Sequence, residues 1–318
     1  MHHLNEQLTI RCEDAREKRD NWIVCLNRAA GLTIKDLYDY DESTVVGQGR
    51  YASVYPARRR GDSSDEKHQP VSDSGSDHGC SHDSPLCSKV CLDTYNCAIK
   101  VVDKKEFWRR VIKGRERADT LVREASVQST MTTKCSKIPN FVRIRGFFET
   151  SDNVVIELEL LEGTDLFNYV SSKGVLSEKE AACIMRDILT VLEGMSRAGL
   201  AHRDIKLANC LMCNCSSGGR EKPPCGVKVG DFGMATFVGV DGLVRGRCGT
   251  PGYCAPEVFH AGVHGGYSNK VDVFSAGVTL YVMLCGYEPF YGESDAELIA
   301  ANKEANLEFP STDWNRGM

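Results

Sequence analysis

Apolar residues along this chain change their spacing several times, and each change marks an element. Residues 7 to 11 alternate loosely, like the end of a strand, and Glu13 to Ala30 then place Ala15, Trp22, Ile23 and Leu26 at helical spacing before Gly31 offers a stop. From Tyr40 the pattern turns to strands. Thr44 to Gly47 and Ser53 to Arg58 read as two strands joined by a glycine turn, and Tyr95 to Val102 reads as a third. Asn153 to Leu161 makes a further strand, and Ala296 to Lys303 a helix. The most apolar stretch, Val273 to Cys285, is interrupted by Ser275, Gly277 and Thr279 and falls short of the roughly 18 residues a membrane span requires. It reads as a buried helix.

Between the second and third strands lies a segment of different character. Residues 61 to 92 are crowded with Ser, Asp, His and Gly and hold too few apolar side chains to fold alone, so a disordered insert is expected there. It contains His78, Cys80, His82, Cys87 and Cys91, and a later loop contains Cys210, Cys213, Cys215 and Cys225. Neither set shows the paired spacing that marks a zinc site, and solvated loop cysteines are the expectation for both.

The 318 residues are enough for about two domains, or one two-lobed domain with attachments. Lys and Arg number 39 against 44 Asp and Glu, a net charge of −5 that offers no basic footprint for nucleic acid. Fifteen cysteines without framework spacing, after a start that lacks a signal peptide's regions, point to a reduced cytoplasmic setting.

The candidate chemistry is concentrated in Ala201-His-Arg-Asp204-Ile-Lys206-Leu-Ala-Asn209, followed by Asp231-Phe-Gly233. A base, a cation and two oxygen donors appear in the order phosphoryl transfer needs. Upstream, Gly47-Gln48-Gly49-Arg-Tyr-Ala52-Ser-Val54 sits between two strands, where small residues let backbone N–H groups close over phosphates. Taken alone, that segment fits a plain hairpin turn equally well. Lys100 ends Cys97-Ala98-Ile-Lys100, and Glu124 follows 24 residues later on what should be a helix.

With these motifs in this order, the chain resembles the protein kinases, of α+β class with two lobes: an antiparallel β N-lobe carrying one main helix and a mostly helical C-lobe. The resemblance runs from about Tyr40 to Trp314, and a kinase domain is expected over 40–318, incomplete at its C-terminal end because relatives carry roughly 50 further residues. It implies ATP and Mg2+ as cofactors. Asp204 would orient the substrate hydroxyl, Lys206 neutralise the transferred γ-phosphoryl, and Asn209 and Asp231 hold magnesium. Lys100 would hold the α- and β-phosphates and Glu124 would orient Lys100; Gly47, Gln48, Gly49, Ala52, Val54, Ala98 and Leu211 would line the nucleotide.

The resemblance makes Leu158 the gatekeeper, Glu159 and Leu161 part of the adenine-binding hinge, and Asp165 a contact to ribose or a basic substrate residue. As residues, Asp165 reads equally as a helix N-cap, and the roles are compatible. Thr250, in Gly249-Thr-Pro-Gly-Tyr-Cys-Ala-Pro-Glu257, would tie Asp204 to Lys206 within the substrate-docking segment, which with Lys206 implies Ser/Thr acceptors in protein substrates. Ala208, where arginine-directed relatives have Glu, weakens any basic-substrate preference. Asp272 would brace the catalytic loop.

Two departures stand out. Gln128 occupies a position where relatives place an apolar side chain behind the active site; burying an amide without partners costs about 1–3 kcal/mol and would reset the helix or disfavour the active arrangement. Gly246 replaces a frequent phosphosite, so the loop after Asp231 should be ordered by another input, with Arg203 paired to a carboxylate such as Asp241. The alternative to an enzyme is a pseudokinase-like scaffold or binding module.

The flavour is that of the calcium/calmodulin-dependent group. Leu8 to Asn27 resembles the last strand and closing helix of a pleckstrin-homology (PH) domain, so residues 1–31 are expected to be its partial end. That order resembles a PH-containing calcium-dependent protein kinase of protozoan type, or a protein kinase D. Phosphoinositide or membrane contact would run only through the missing PH portion. Calcium regulation would run only through C-terminal EF-hands, whose Asp-x-Asp-x-Asp-Gly loop does not occur in the chain.

Overall fold

The computed structural model describes residues 31–60, 95–213 and 226–314. The PH-like end, the expected insert, and Cys215 and Cys225 lie outside them. The described residues fall into two compact units, one holding those up to Phe107 together with 147–156, the other holding 108–146 and those from Glu157 onward.

The first unit is a sheet. Strands β1 (Tyr38–Tyr40), β2 (Gly47–Gln48), β3 (Ala52–Arg59), β4 (Cys97–Asp103), β5 (Ile144–Glu149) and β6 (Asn153–Leu158) take the order β1-β3-β4-β6-β5, with β2 added on β3. The last two strands run from one unit into the other. β3 and β4 are antiparallel, with Val54 opposite Lys100 and Pro56 opposite Ala98. Strand side chains alternate between faces. Tyr55, Ala57, Cys97, Ile99 and Val101 therefore share one face, where they pack with Tyr38 and Val155 into a core. Ala52, Val54, Ala98 and Lys100 are left on the other face.

Two expectations are corrected here. The strand expected from Thr44 is confined to Gly47–Gln48, because Val45 and Val46 are exposed and have no apolar surface to meet. The second concerns the 24 residues from Lys100 to Glu124, whose spacing suits a strand, loop and helix: the connection contains α1 (Lys104–Ile112), anchored by the buried Phe107, whose ring lies 5.3 Å from that of Tyr51.

The second unit is mainly helical: α2 (Thr120–Lys134), α3 (Leu166–Lys173), α4 (Glu178–Arg197), α5 (Pro256–Phe259), α6 (Val271–Cys285) and α7 (Asp295–Glu304). Ser177 caps α4, and the buried Ala181, Ile184, Met185, Ile188, Val191, Leu192 and Met195 form a stripe at helical period. That stripe joins Ala276, Val282 and Met283 of α6 and Val127 and Met131 of α2 in one core. α6 is buried along most of its length, as its composition implies, and ends at Gly286 in a left-handed conformation. Two short antiparallel ladders complete the unit. β7 (Leu200–Ala201) pairs with β10 (Thr236–Phe237), and β8 (Cys210–Met212) pairs with β9 (Val227–Val229).

Among the described residues no helix is long and apolar enough to cross a membrane. Truncating Ile188, which is fully buried in this core, to Ala should lower unfolding free energy in urea by about 2–5 kcal/mol. Leu189→Ala, at a 42 % exposed position one residue on, should stay within about 0.5 kcal/mol of the parent.

Candidate active site

The sequence-derived site residues fall into two sets, one in each unit. In the first, the register places Gly47 opposite Val54 and Val54 opposite Lys100, a row across three neighbouring strands, with Gln48 opposite Ser53. The turn that follows is closed by the Gly49 N–H donating to the Ala52 carbonyl at 2.7 Å. Ala52 and Ala98 add only small side chains to this face, which leaves room beside Lys100.

The second set centres on the segment after β7. Asp272, buried on α6, accepts the backbone N–H groups of His202 at 2.7 Å and Arg203 at 2.6 Å. Arg203 has φ +68, a left-handed conformation uncommon for a side-chain-bearing residue. The two hydrogen bonds hold the turn there and send the chain on into Asp204. Burial pushes the Asp272 carboxyl above the usual carboxylate range, against the charge and N–H groups of His202 and Arg203, which draw it down. Behind the turn the fully buried His202 meets the Gly230 carbonyl through Nε2 at 3.1 Å and lies 5.1 Å from the Phe232 ring.

Around Asp204 the bonds converge. Thr250 donates to Asp204 Oδ1 at 2.6 Å and accepts from Lys206 Nζ at 2.8 Å. Lys206 also pairs with Asp204 Oδ2 at 3.0 Å. Asn209 donates its amide to the Asp204 carbonyl at 2.7 Å and to Oδ2 at 3.0 Å. Thr250 can reach in because Gly249 precedes it at φ +112; a Cβ there would stand 2.9 Å from the Arg203 carbonyl oxygen.

Asp231 is exposed and left-handed, φ +52, with Oδ1 accepting from the Gly233 N–H at 3.3 Å. Gly230, just before it, donates to the Asn209 carbonyl at 2.8 Å, so Asn209 and Asp231 are brought together. With its amide nitrogen engaged by Asp204, Asn209 keeps a side-chain oxygen as donor, and Asp231 offers a carboxylate. Hard oxygens of this kind fit magnesium. Among the described residues no group of three or more His, Cys, Asp and Glu could hold a metal, and Cys210 is buried on β8, not a solvated loop residue as its neighbours suggested.

Asp165 caps α3, accepting from the Asn168 N–H at 2.7 Å, and a bridge pairs it with Leu211. The half-buried Leu158 ends β6, and Glu124 is buried on α2. Glu159 does more than its hinge position implied: Oε1 accepts from the Arg143 N–H at 2.9 Å and Oε2 meets Lys228 Nζ at 2.7 Å. Leu161 follows it, half-buried.

Gln128 is buried as expected, but its amide donates to the Val142 carbonyl at 2.9 Å, so the feared partnerless amide is not what forms. Arg203 does not pair with Asp241. Its guanidinium donates to the carbonyls of Met234 at 2.7 Å and Arg245 at 3.1 Å, while Asp241 is paired with Arg245, four residues away on the same loop. The sequence reading also missed Asn302 on α7. Fully buried, it accepts from the Gly252 N–H at 3.1 Å and donates to the Cys254 carbonyl at 2.8 Å. An Asn fifty residues downstream carries no motif that would have flagged it.

Asp272→Ala leaves the buried His202 N–H and the part-buried Arg203 N–H without an acceptor and should cost about 2–6 kcal/mol in urea unfolding, at 1–3 for each. Burial pushes the Cys210 thiol up to about 12, so in the folded protein at pH 8 iodoacetamide should label the exposed Cys183 and leave Cys210 unmodified by peptide mass mapping.

Residues 87–315 match the family model described as protein kinase domain. Calcium/calmodulin-dependent protein kinase type 1 of Macrobrachium nipponense is 35% identical over 218 residues, 69% of this chain and 57% of its own. Myosin light chain kinase A of Dictyostelium discoideum is 32% identical over 217 residues, 68% of this chain and 67% of its own. Calcium-dependent protein kinase 29 of Arabidopsis thaliana is 34% identical over 225 residues, 70% of this chain and 40% of its own. The chain thus spans between 40% and 67% of the length of these relatives. The sheet unit, the helical unit and these matches together show that the chain belongs to the protein kinase family.

Proposed function

We propose that this chain is an ATP-dependent protein serine/threonine kinase that uses magnesium. The observation that carries the reading is the bonded set around Asp204: Thr250, Lys206 and Asn209 each reach one of its oxygens within 3.0 Å. Such a carboxylate is already oriented, which removes reorganisation from the step it serves.

Asp204 accepts the hydrogen bond of the incoming hydroxyl and aims its oxygen at the γ-phosphorus. Lys206, fixed by Thr250, stays close enough to neutralise charge on the transferred phosphoryl. Asn209 and Asp231 would hold Mg2+, which would supply positive charge to neutralise the phosphate oxygens. Lys100 would hold the α- and β-phosphates, oriented by Glu124, under the turn from Gly47 to Val54. Ala98, Leu158, Leu161 and Leu211 would line the base, with the backbone around Glu159 meeting its edge and Asp165 near the ribose. Lys206 two residues after Asp204, and the Thr250 bridge, support a Ser or Thr acceptor over Tyr. The relatives' names support a place in calcium-linked signalling.

Ordering of the loop after Asp231 requires no phosphate in this reading. Arg203, which would otherwise face a phosphorylated side chain, is engaged by two backbone carbonyls, and the residue four before Thr250 is Gly246. A phosphopeptide map of active protein should accordingly show no essential modified Ser or Thr among residues 232–249.

The direct test is transfer of labelled γ-phosphate from Mg-ATP to a Ser/Thr peptide library. Asp204→Asn should reduce turnover by about 10²–10⁴-fold, the range for a positioned proton acceptor. It should leave nucleotide binding, read by a fluorescent ATP analogue, within about threefold, since Asp204 is assigned no contact to the nucleotide. Transfer that survives Asp204→Asn undiminished would falsify the assignment of Asp204.

A further inference from the structure

The segment that carries Thr250 has one edge where two cations come together without a salt bridge among the described residues. Arg247, three residues before Thr250, is exposed, and its guanidinium carbon lies 5.8 Å from the centroid of the Phe259 ring. Lys303, exposed in the last turn of α7, places Nζ 5.7 Å from the same centroid. Two cations therefore share one aromatic ring at the end of α5. Like charges gathered this way repel, and ring contact returns only about 0.5–1 kcal/mol for each at an exposed site. Neither has a salt-bridge partner among the described residues, although Glu257 and Glu304 are close in sequence and Arg245, two residues before Arg247, is neutralised by Asp241.

The placement is enforced from inside. Buried Asn302, the residue before Lys303, is bonded to Gly252 and Cys254, which fixes the last turn of α7 against the segment. The backbone of Lys303 is thereby held beside the segment. Of the carboxylates in and beside this segment, Glu257 is exposed two residues before Phe259, and Glu288 is hydrogen-bonded to Tyr253, its Oε2 standing 3.3 Å from where a Cβ added at Gly252 would lie. The segment thus has a cationic edge toward Arg247 and Lys303 and a carboxylate at Gly252 and Tyr253.

We propose that Arg247 and Lys303 form an anion-reading subsite, so that preferred protein substrates carry a carboxylate or a phosphate within about four residues of the acceptor hydroxyl. This rests on the reading of Asp204 as the acceptor's partner. Thr250 is bonded to Asp204, and three residues of chain reach at most about 10 Å, so an extended substrate covers the same span in three or four residues. The subsite selects against basic residues at the matching position by charge repulsion. It agrees with Ala208, which removes a carboxylate that arginine-directed relatives carry.

The test uses the full chain and a set of peptides with one Ser acceptor in a neutral background. Asp, Glu, phosphoserine or Arg is placed singly at each position from four before to four after the acceptor. Relative kcat/KM is measured, and binding of the same peptides is followed by fluorescence anisotropy. Acidic peptides on one side of the acceptor should exceed the neutral one by about 3- to 10-fold at low salt, the scale that two exposed ion pairs supply, and lose most of that at 0.5 M salt. The acidic-to-neutral ratio should fall toward one in Arg247→Ala/Lys303→Ala and drop below one in Arg247→Glu/Lys303→Glu. Phosphoserine well above Asp and Glu would identify phosphate as the natural group, and equal responses would identify simple charge; both support the subsite.

A ratio near one in the parent chain, a preference for Arg at every position, or a ratio unmoved by the double variants would overturn it. If no peptide is phosphorylated, the neutral one included, the kinase reading is what fails. The anisotropy series then decides the subsite separately: tighter binding of acidic peptides that the double Ala variant removes supports it, and equal binding of all peptides overturns it.

Discussion

One carboxylate sets the geometry on which the rest of the site is built. Asp272 enters from the middle of the helical unit and holds two consecutive N–H groups, those of His202 and Arg203, the second in a left-handed conformation uncommon for a side-chain-bearing residue. Taking a carboxylate out of water is costly unless its lone pairs are met, and the two donors meet them. The arrangement makes the turn and the burial mutually dependent: without the turn the charge lacks partners, and without the charge the turn lacks a reason to stay left-handed. Everything downstream, from Asp204 to Asn209, inherits its position from that exchange.

From there the order of the site spreads by short bonds between segments distant in sequence. Thr250 reaches back 46 residues to Asp204, and Asn302 reaches back about 50 to Gly252 and Cys254. Each link is made by a polar side chain buried or half-buried against backbone or a charged partner, where an unmet group is expensive and the native pairing is therefore specified. The result is a segment held at Thr250 by Asp204 and from behind by α7.

Much of this was legible in the sequence, for a physical reason. Motifs such as His202 to Asn209 and Asp231 to Gly233 carry chemistry in residue identity and local spacing, and the chain cannot move one member without the others. The apolar run of α6 and the strand that carries Lys100 were plain as well, because an element built on many apolar side chains averages over local exceptions. What could not be read was set by partners far away. The strand expected from Thr44 shrank to two residues because Val45 and Val46 find no surface to cover. Arg203 chose two carbonyls over Asp241 because Asp241 has a nearer cation in Arg245. Gln128 met Val142, a partner 14 residues on that no helical pattern announces. The stretch that matches the family begins at residue 87, after the first three strands.

The ion pair between Glu159 and Lys228 has a consequence for how this site can diversify. Both carboxylate oxygens of Glu159 are committed, one to the Arg143 backbone and one to Lys228. The side chain couples the strand that precedes Asp231 to the end of β6, and a change at either partner strands a largely buried charge at the other. Lineages of this chain should therefore keep the two residues together or lose them together, and an inhibitor designed against one should meet resistance through the other.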